Sequence, residues 1–155
     1  MILHIQYLSR LFRKVIVVSF SLRITNGDLD ASTNVLGVVI GIEKLTQDLS
    51  LWLRERFGID RFHPNYGSTL DNYIGNVIDT ISQHELEVET RRVLSLYQQI
   101  QYIALQRNPG KYSLDELLDR VDEIKCQLSY DIVNINVKFT TAHGTPGVVN
   151  QIVGI

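Results

Sequence analysis

The first apolar stretch of the chain alternates with polar residues and then reverses direction. Apolar residues occupy every second position from Val18 to Ile24, which predicts a strand with one buried face. The strand runs into Asn26-Gly27, a pair that suits a tight turn with positive φ at both central residues. A second apolar stretch, residues 35–42, therefore predicts the returning strand of a hairpin, although two glycines interrupt it.

Two helices are then predicted from apolar residues at three- and four-residue spacing. The first covers residues 42–57, places Trp52 on its buried stripe, and ends at Gly58, which can take the left-handed conformation. The second begins at Ser68, which an acidic residue follows three positions later, and carries apolar positions as far as Ile81. Both helices would pack their apolar stripes into a shared core.

A longer third helix is predicted from Ser82 to about Arg107. Ser82 is followed three residues later by a glutamate, as in a capping box, and a proline-glycine pair stops the helix at its other end. A similar box at Ser113 precedes apolar residues at helical spacing that reach Val121. We expect a short helix or turn there.

The last part of the chain returns to alternation in two stretches, and with a last short strand it predicts a three-stranded antiparallel meander. The strands cover residues 123–130, 133–140 and 148–153, with a loop at 143–147. The prediction is an α+β fold with an N-terminal hairpin, three helices and a C-terminal meander. One domain, 18–155, would have its helical part at 42–121 and its sheet at 122–155, after an N-terminal extension, 1–17, with helical spacing.

Composition and charge exclude several classes of protein. The 155 residues, 45% of them hydrophobic, are enough for one core, and the net charge of −2 lacks the basic excess of a nucleic-acid-binding protein. No run approaches the roughly 18 apolar residues of a membrane span. Cys126 is the single cysteine and lies on the apolar face of a predicted strand, so no disulfide can form within the chain.

The candidate catalytic groups are carboxylates. Acidic residues cluster at 85–89 and 115–119, but glycoside cleavage needs two carboxyl groups that face each other across a substrate. Runs of this kind more often form the solvated face of a helix. The histidines are far apart and lack metal-ligand spacing. We therefore expect no enzymatic activity, no cofactor and no metal.

The predicted meander is the most informative feature for binding. A three-stranded meander must leave at least one edge whose backbone N–H and C=O groups have no partner inside the sheet. Such an edge can accept an extended segment of another chain as an added strand. A helix or loop that covers the edge would prevent this, and the sequence leaves both possibilities open.

Several short motifs occur in an order that resembles one protein family. The motifs are Asn26-Gly27-Asp28-Leu29, residues 41–49 (GIEKLTQDL), Phe57-Gly58, residues 63–68 (HPNYGS), 121–124 (VDEI) and 131–137 (DIVNINV). In this order they resemble the sheath-initiator proteins of contractile phage baseplates. That family includes wedge components of type VI secretion systems, some of which carry the label "lysozyme-like". The resemblance covers roughly Val18 to the C-terminus.

The resemblance implies a structural virion protein of the tail baseplate, assembled in the host cytoplasm and present in several copies around the tail axis. Its helical part would join baseplate wedge proteins. Its sheet would accept strands from the tail sheath protein and template the first sheath ring, with tail tube or hub proteins as further candidate partners. Neither nucleic acid nor membrane is an expected partner. Two alternatives remain: a small cell-wall hydrolase, which the label "lysozyme-like" suggests, and a generic adaptor that binds another chain but belongs to no tail.

The resemblance also implies two groups of site residues. The sheath-binding sheet is expected to use alternating strand positions, namely Ile124, Cys126, Leu128, Val133, Ile135, Val137, Phe139, Val149, Gln151 and Val153. The wedge contact falls on Asn108-Pro109-Gly110-Lys111, where the family typically carries Glu-Pro-Arg. Pro109 matches that motif plainly, and Lys111 is the candidate for its positive charge.

Overall fold

Short strand pairs, two helices and a three-stranded sheet make up the fold, and the predicted α+β class is confirmed. A computed structural model describes residues 19–31, 35–73, 79–129 and 132–154, so the predicted extension, 1–17, lies outside the described residues. The elements are β1 (Phe20–Leu22), β2 (Ile24–Thr25), β3 (Asp28–Leu29), β4 (Val38–Ile40), α1 (Gly41–Arg54), a 3₁₀ turn (Leu70–Tyr73), α2 (Thr80–Arg107), a 3₁₀ turn (Leu114–Glu116), β5 (Leu118–Ser129), β6 (Ile132–Thr141) and β7 (Pro146–Gly154).

The N-terminal strands form the predicted hairpin as two short ladders. β2 pairs with β3 across Asn26 and Gly27, whose φ angles of 54° and 86° confirm the expected turn. β1 pairs with β4, and Arg23 N donates to Gly37 O at 2.7 Å between the two ladders. The returning strand is shorter than predicted because α1 already begins at Gly41.

Helix α1 buries the expected leucine stripe but ends three residues before the predicted position. Its last residue is Arg54, because the following chain turns back and pairs with Ser68. Ser68 N donates to Glu55 O at 2.7 Å. Gly58 has the expected positive φ of 77°, but it lies in the turn after the helix. Trp52 packs against the core but is only partly buried, whereas the sequence pattern predicted a buried residue.

Helix α2 ends at Arg107 as predicted, but its start differs. Asp79 caps the helix by accepting a hydrogen bond from Ser82 N at 2.8 Å, so Ser82 lies inside the first turn and is not the cap. The predicted second helix appears as the 3₁₀ turn at Leu70–Tyr73, and residues 74–78 lie outside the described part. Ile81, assigned to that second helix, is an exposed residue of α2.

The C-terminal meander is confirmed, in the order β5-β6-β7. Strand β5 begins at Leu118, so the helical spacing read between 117 and 121 was wrong. Pro146 and Gly147, predicted as loop, belong to β7. Gly147 lies opposite Phe139, and a Cβ atom on this glycine would overlap the Phe139 ring. The absence of a side chain at Gly147 lets the ring of Phe139 lie over the neighbouring strand.

Both helices pack on one face of this sheet, α2 against β5 and α1 against β7. The core combines leucines of α1 and α2 with apolar residues of all three strands. The other sheet face is solvated and largely polar, as in the 2.6 Å hydrogen bond from Asn136 Nδ2 to Asn150 Oδ1, although Ile132, Val148 and Ile152 are exposed on it. A sheet with one buried face and one solvated face explains the alternation along its strands. Within the described ranges, no helix is both long and apolar enough to cross a membrane.

Candidate functional site

The residues predicted for sheath binding come together, but they do so as the core face of the sheet. The side chains of Cys126, Ile135, Val137, Phe139, Val149 and Gln151 are buried, and Ile124 is partly buried. Leu128, Val133 and Val153 lie in the strands at the expected register positions, and their side chains lie outside the described part. A partner segment would therefore meet backbone groups at a sheet edge, and most of these side chains would stay inside the core.

The predicted wedge contact lies in an exposed turn after α2. Asn108 caps the helix, and its side-chain Oδ1 accepts from Gly110 N at 3.2 Å. Lys111 Nζ lies 5.2 Å from the centre of the Tyr112 ring. Asn108, Pro109, Gly110 and Lys111 are all exposed and close in space, so this turn is accessible to a partner.

Glutamine side chains of α2 cover parts of the β5 edge. Gln83 Nε2 donates to Cys126 O at 2.6 Å, and Gln98 Nε2 donates to Leu118 O at 3.1 Å. Gln101 is buried, and its Oε1 accepts from Leu118 N at 3.0 Å. These amides occupy positions where the backbone of an added strand would have to lie. An extended partner could pair with β5 only by displacing α2.

The opposite edge, formed by β7, has a different arrangement. Thr141 N donates to Thr145 O at 3.0 Å and closes the hairpin between β6 and β7. Along an antiparallel ladder, residue pairs that exchange backbone hydrogen bonds alternate with pairs that do not. Because Thr141 and Thr145 form a bonded pair, the odd-numbered residues of β7 exchange hydrogen bonds with β6. The even-numbered residues direct their backbone N–H and C=O groups away from β6, and these residues are Val148, Asn150 and Ile152.

The outward groups in the middle of β7 are open. Among residues 19–31, 35–73, 79–129 and 132–154, the backbone groups of Val148 and Asn150 and the N–H of Ile152 have no hydrogen-bond partner. Ile152 O accepts from Gln151 Nε2 at 3.1 Å. Pro146 occupies another outward position and has no N–H group, as expected at an edge strand. We refer to the outer side of 148–152 as the β7 edge.

A groove of about 900 Å³ adjoins the β7 edge. Side chains of α1 line it, together with the β2–β3 turn at Asn26-Gly27 and the β7 residues Val149 and Asn150. Arg54 Nε, from the same helix, donates to Gln151 Oε1 at 3.1 Å and ties α1 to β7. The edge and the groove together offer free backbone groups and a space for side chains.

The carboxylates considered for catalysis are mostly engaged in local contacts. Burial disfavours the charged form of Glu89, but hydrogen bonds from Arg92 and from Thr69 N lower its pKa below the ordinary value. Glu116 is buried and accepts from Ser19 Oγ, while its Oε1 has no partner among the residues that the structure describes. The described part of the chain contains no group of acidic, histidine and cysteine residues able to hold a metal ion.

Comparison with known proteins shows the fold alone. No protein-family model matches the chain, and no curated protein matches its sequence. The structure is similar to the crystal structure of a protein from Geobacter sulfurreducens described as a "putative tail lysozyme", with a TM-score of 0.55 and 13% sequence identity. The match covers 73% of this chain and 89% of that chain. The chain thus shares the fold of that protein.

Sequence reasoning missed the glutamines that contact the β5 edge. Gln101 lies within the apolar stripe of α2, together with buried Thr90. A polar residue at a core position of a long helix usually has a buried partner, because an unpaired polar group there is costly. The polar residues at core positions of α2 were visible in the sequence, but the sequence did not indicate which strand they contact.

Proposed function

We propose that this protein is a structural component of a contractile tail baseplate. In this role it accepts an extended segment of the sheath protein as an added strand on the β7 edge, so that the first sheath ring is templated on it. The proposed contact with wedge proteins is the exposed turn from Asn108 to Lys111. Several copies would act around the tail axis.

The open β7 edge is the observation that carries this proposal. A segment placed beside β7 would extend the sheet from three strands to four. It would bond to the N–H and C=O groups of Val148 and Asn150 and to the N–H of Ile152, which have no partner in the described part of the chain. Ladder hydrogen bonds supply affinity in this mode of recognition, and alternate side chains supply register.

The backbone groups of the β7 edge bind the added strand, and the adjoining groove is proposed to recognise its side chains. Side chains of the added strand alternate between the two faces of the sheet, so every second one would point to the helix side, where α1 and the β2–β3 turn line a space of about 900 Å³. A shift of the added strand by one residue would turn its apolar set to the solvated face. The groove therefore favours one register of the incoming segment.

A proline at an outward position tests the edge without removing the strand. Val148→Pro deletes one outward N–H, and its pyrrolidine ring obstructs an added strand, while the bonds from β7 to β6 remain. Val148→Ala is the matched control, since it trims the same exposed side chain and keeps the N–H. Each variant is used to complement a phage that lacks this gene, and the particles are counted by electron microscopy.

We expect Val148→Pro to yield baseplates without sheath and Val148→Ala to yield normal tails. Sheaths of normal length on baseplates that carry Val148→Pro would exclude the β7 edge as the template. Deletion of 147–155 is a less specific test, because Val149 and Gln151 are buried against the helical layer and their loss would also disturb the core. Circular dichroism of purified Val148→Pro verifies that the fold is intact.

The name of the structural neighbour favours cell-wall hydrolysis as a second candidate function. The carboxyl group to test is Glu116, because a buried carboxyl with an unpartnered oxygen is a common form of catalytic acid. Zymography on peptidoglycan compares the wild-type protein with Glu116→Gln. Clearing that disappears in the variant would establish hydrolysis and overturn the proposal of a purely structural role. Absence of clearing from folded wild-type protein supports the structural role.

A further inference from the structure

A second cavity, of about 550 Å³, is lined by another face of α1, and Leu51 lines both this cavity and the groove. Its aromatic lining consists of Trp52, Tyr66, Tyr97 and Tyr112. The ring centres of Trp52 and Tyr66 are 4.8 Å apart at an angle of 41°, and those of Trp52 and Tyr97 are 5.3 Å apart at 75°. We call this cavity the aromatic pocket. Its volume is within the range of pockets that hold small ligands or single side chains.

Hydrogen bonds and stacking hold the aromatic rings in place. The Tyr97 hydroxyl donates to Asp48 Oδ2 at 3.3 Å and accepts from Gln101 Nε2 at 3.2 Å. Burial raises the pKa of this hydroxyl, which therefore stays neutral. On the opposite side, the ring of His63 stacks on Tyr66 with centres 4.4 Å apart. The walls are thus preformed.

The charges around the aromatic pocket favour a cation. Among the residues that the structure describes, Lys44 is the one cation in the lining, and it is paired with Asp48 at 2.8 Å, so that pair is neutral as a unit. Lys44 Nζ and Lys111 Nζ lie 5.8 and 5.2 Å from the Tyr112 ring centre, so the open aromatic faces are those of Trp52 and Tyr66. Two further carboxylates, Glu55 and Asp60, also line the cavity. Asp60 binds His63, whereas the Glu55 carboxylate has no ion pair or side-chain hydrogen bond with the residues that the structure describes. Negative charge therefore remains beside the aromatic faces.

We propose that the aromatic pocket binds the guanidinium group of an arginine side chain on a partner protein. A guanidinium is planar and weakly hydrated, so it can stack on the Trp52 ring while its N–H groups bind a carboxylate in a bidentate geometry. Glu55 supplies the free carboxylate. This site is separate from the β7 edge and would anchor a second segment of a partner.

Trp52 makes the test direct, because it is the single tryptophan of the chain and its fluorescence reports on this pocket alone. The purified protein is titrated with the peptide acetyl-Gly-Arg-Gly-amide. We expect a saturable change in Trp52 fluorescence. The matching citrulline peptide has the same shape without the charge and should bind about tenfold more weakly or not at all. Free L-arginine is titrated as a third ligand. This comparison distinguishes a site for the free amino acid from a site for an arginine side chain of a polypeptide.

Two variants connect the signal to the pocket. Glu55→Gln removes the free carboxylate from an exposed position, so the fold should be retained while the arginine peptide binds about fivefold more weakly. Tyr66→Leu removes one aromatic wall and keeps the Trp52 reporter. Glu43→Gln, an equal change of charge outside the pocket on α1, is the matched control and should leave binding unchanged.

Equal binding of the arginine and citrulline peptides, or no saturable signal with either, would overturn the arginine site. Tighter binding of free L-arginine than of the peptide would show a small-molecule site and exclude the partner. None of these results affects the β7 edge, because no residue of β7 lines the aromatic pocket.

Discussion

Loss of the buried side-chain amide of Gln101 should lower the free energy of unfolding. Its Nε2 donates to Glu116 O at 2.8 Å, and its Oε1 accepts from Leu118 N at 3.0 Å, all within the core. The leucine side chain in Gln101→Leu is similar to glutamine in volume and helix propensity, but it cannot form hydrogen bonds. The substitution therefore leaves the Glu116 carbonyl and the Leu118 N–H without a partner. Each buried orphan costs about 1–3 kcal/mol, and the added apolar burial offsets part of this. We expect a net loss of about 3 kcal/mol.

The assay is urea denaturation followed by circular dichroism, with the free energy of unfolding extrapolated to water. Gln99→Leu is the matched control, because residue 99 lies on the same helix and is exposed. A surface change of this kind should stay within about 0.5 kcal/mol of the wild-type protein. If the two leucine variants unfold at the same urea concentration, the hydrogen bonds of Gln101 do not stabilise the fold and the explanation is refuted.

A charged variant provides a check that cavity effects cannot imitate. Gln101→Glu keeps an acceptor for Leu118 N but directs a carboxylate oxygen towards the carbonyl of Glu116. Near neutral pH, Gln101→Glu should lower the free energy of unfolding by as much as Gln101→Leu does. It should decrease in acid, relative to wild type, because a protonated carboxyl group can again donate a hydrogen bond.

Three further predictions concern packing and pH. Trp52→Ala should lower the free energy of unfolding by about 2 kcal/mol, less than for a fully buried aromatic residue, as measured by denaturation. Gly147→Ala should cost about 1–3 kcal/mol because its methyl group would meet the Phe139 ring, and adding Phe139→Leu should recover part of this loss. Glu89 has a lowered pKa, so the stability from its pair with Arg92 is present near neutrality, and the difference between wild type and Glu89→Gln should shrink below pH 4.5.

Features that depend on neighbouring residues could be predicted from the sequence. The Asn26-Gly27 turn needs only two residues with positive φ, and the end of α2 needs only the proline two residues after Arg107. The alternation in β5 and β6 reflects a sheet with one buried face. These signals are local, so they remain valid without knowledge of the tertiary structure.

Features that depend on distant contacts could not be predicted. Helix α1 stops early because Glu55 O receives a hydrogen bond from Ser68, thirteen residues further along the chain. Strand β5 starts at Leu118 because its first backbone groups meet glutamines of α2. The pattern predicted which strands exist, but the choice of the open edge depends on which helix lies along which strand.

The contact between α1 and β7 also determines the order in which the molecule can fold. Arg54 and Gln151 are 97 residues apart, so their contact closes a much larger loop than the turn at 142–144 that joins β6 and β7. Long loops close at a greater entropic cost, and contacts within a hairpin form first. We expect the meander to form early and α1 to dock onto it late. The groove would then exist only in fully folded molecules, and a partially folded chain would present an edge without the adjacent space that selects the register.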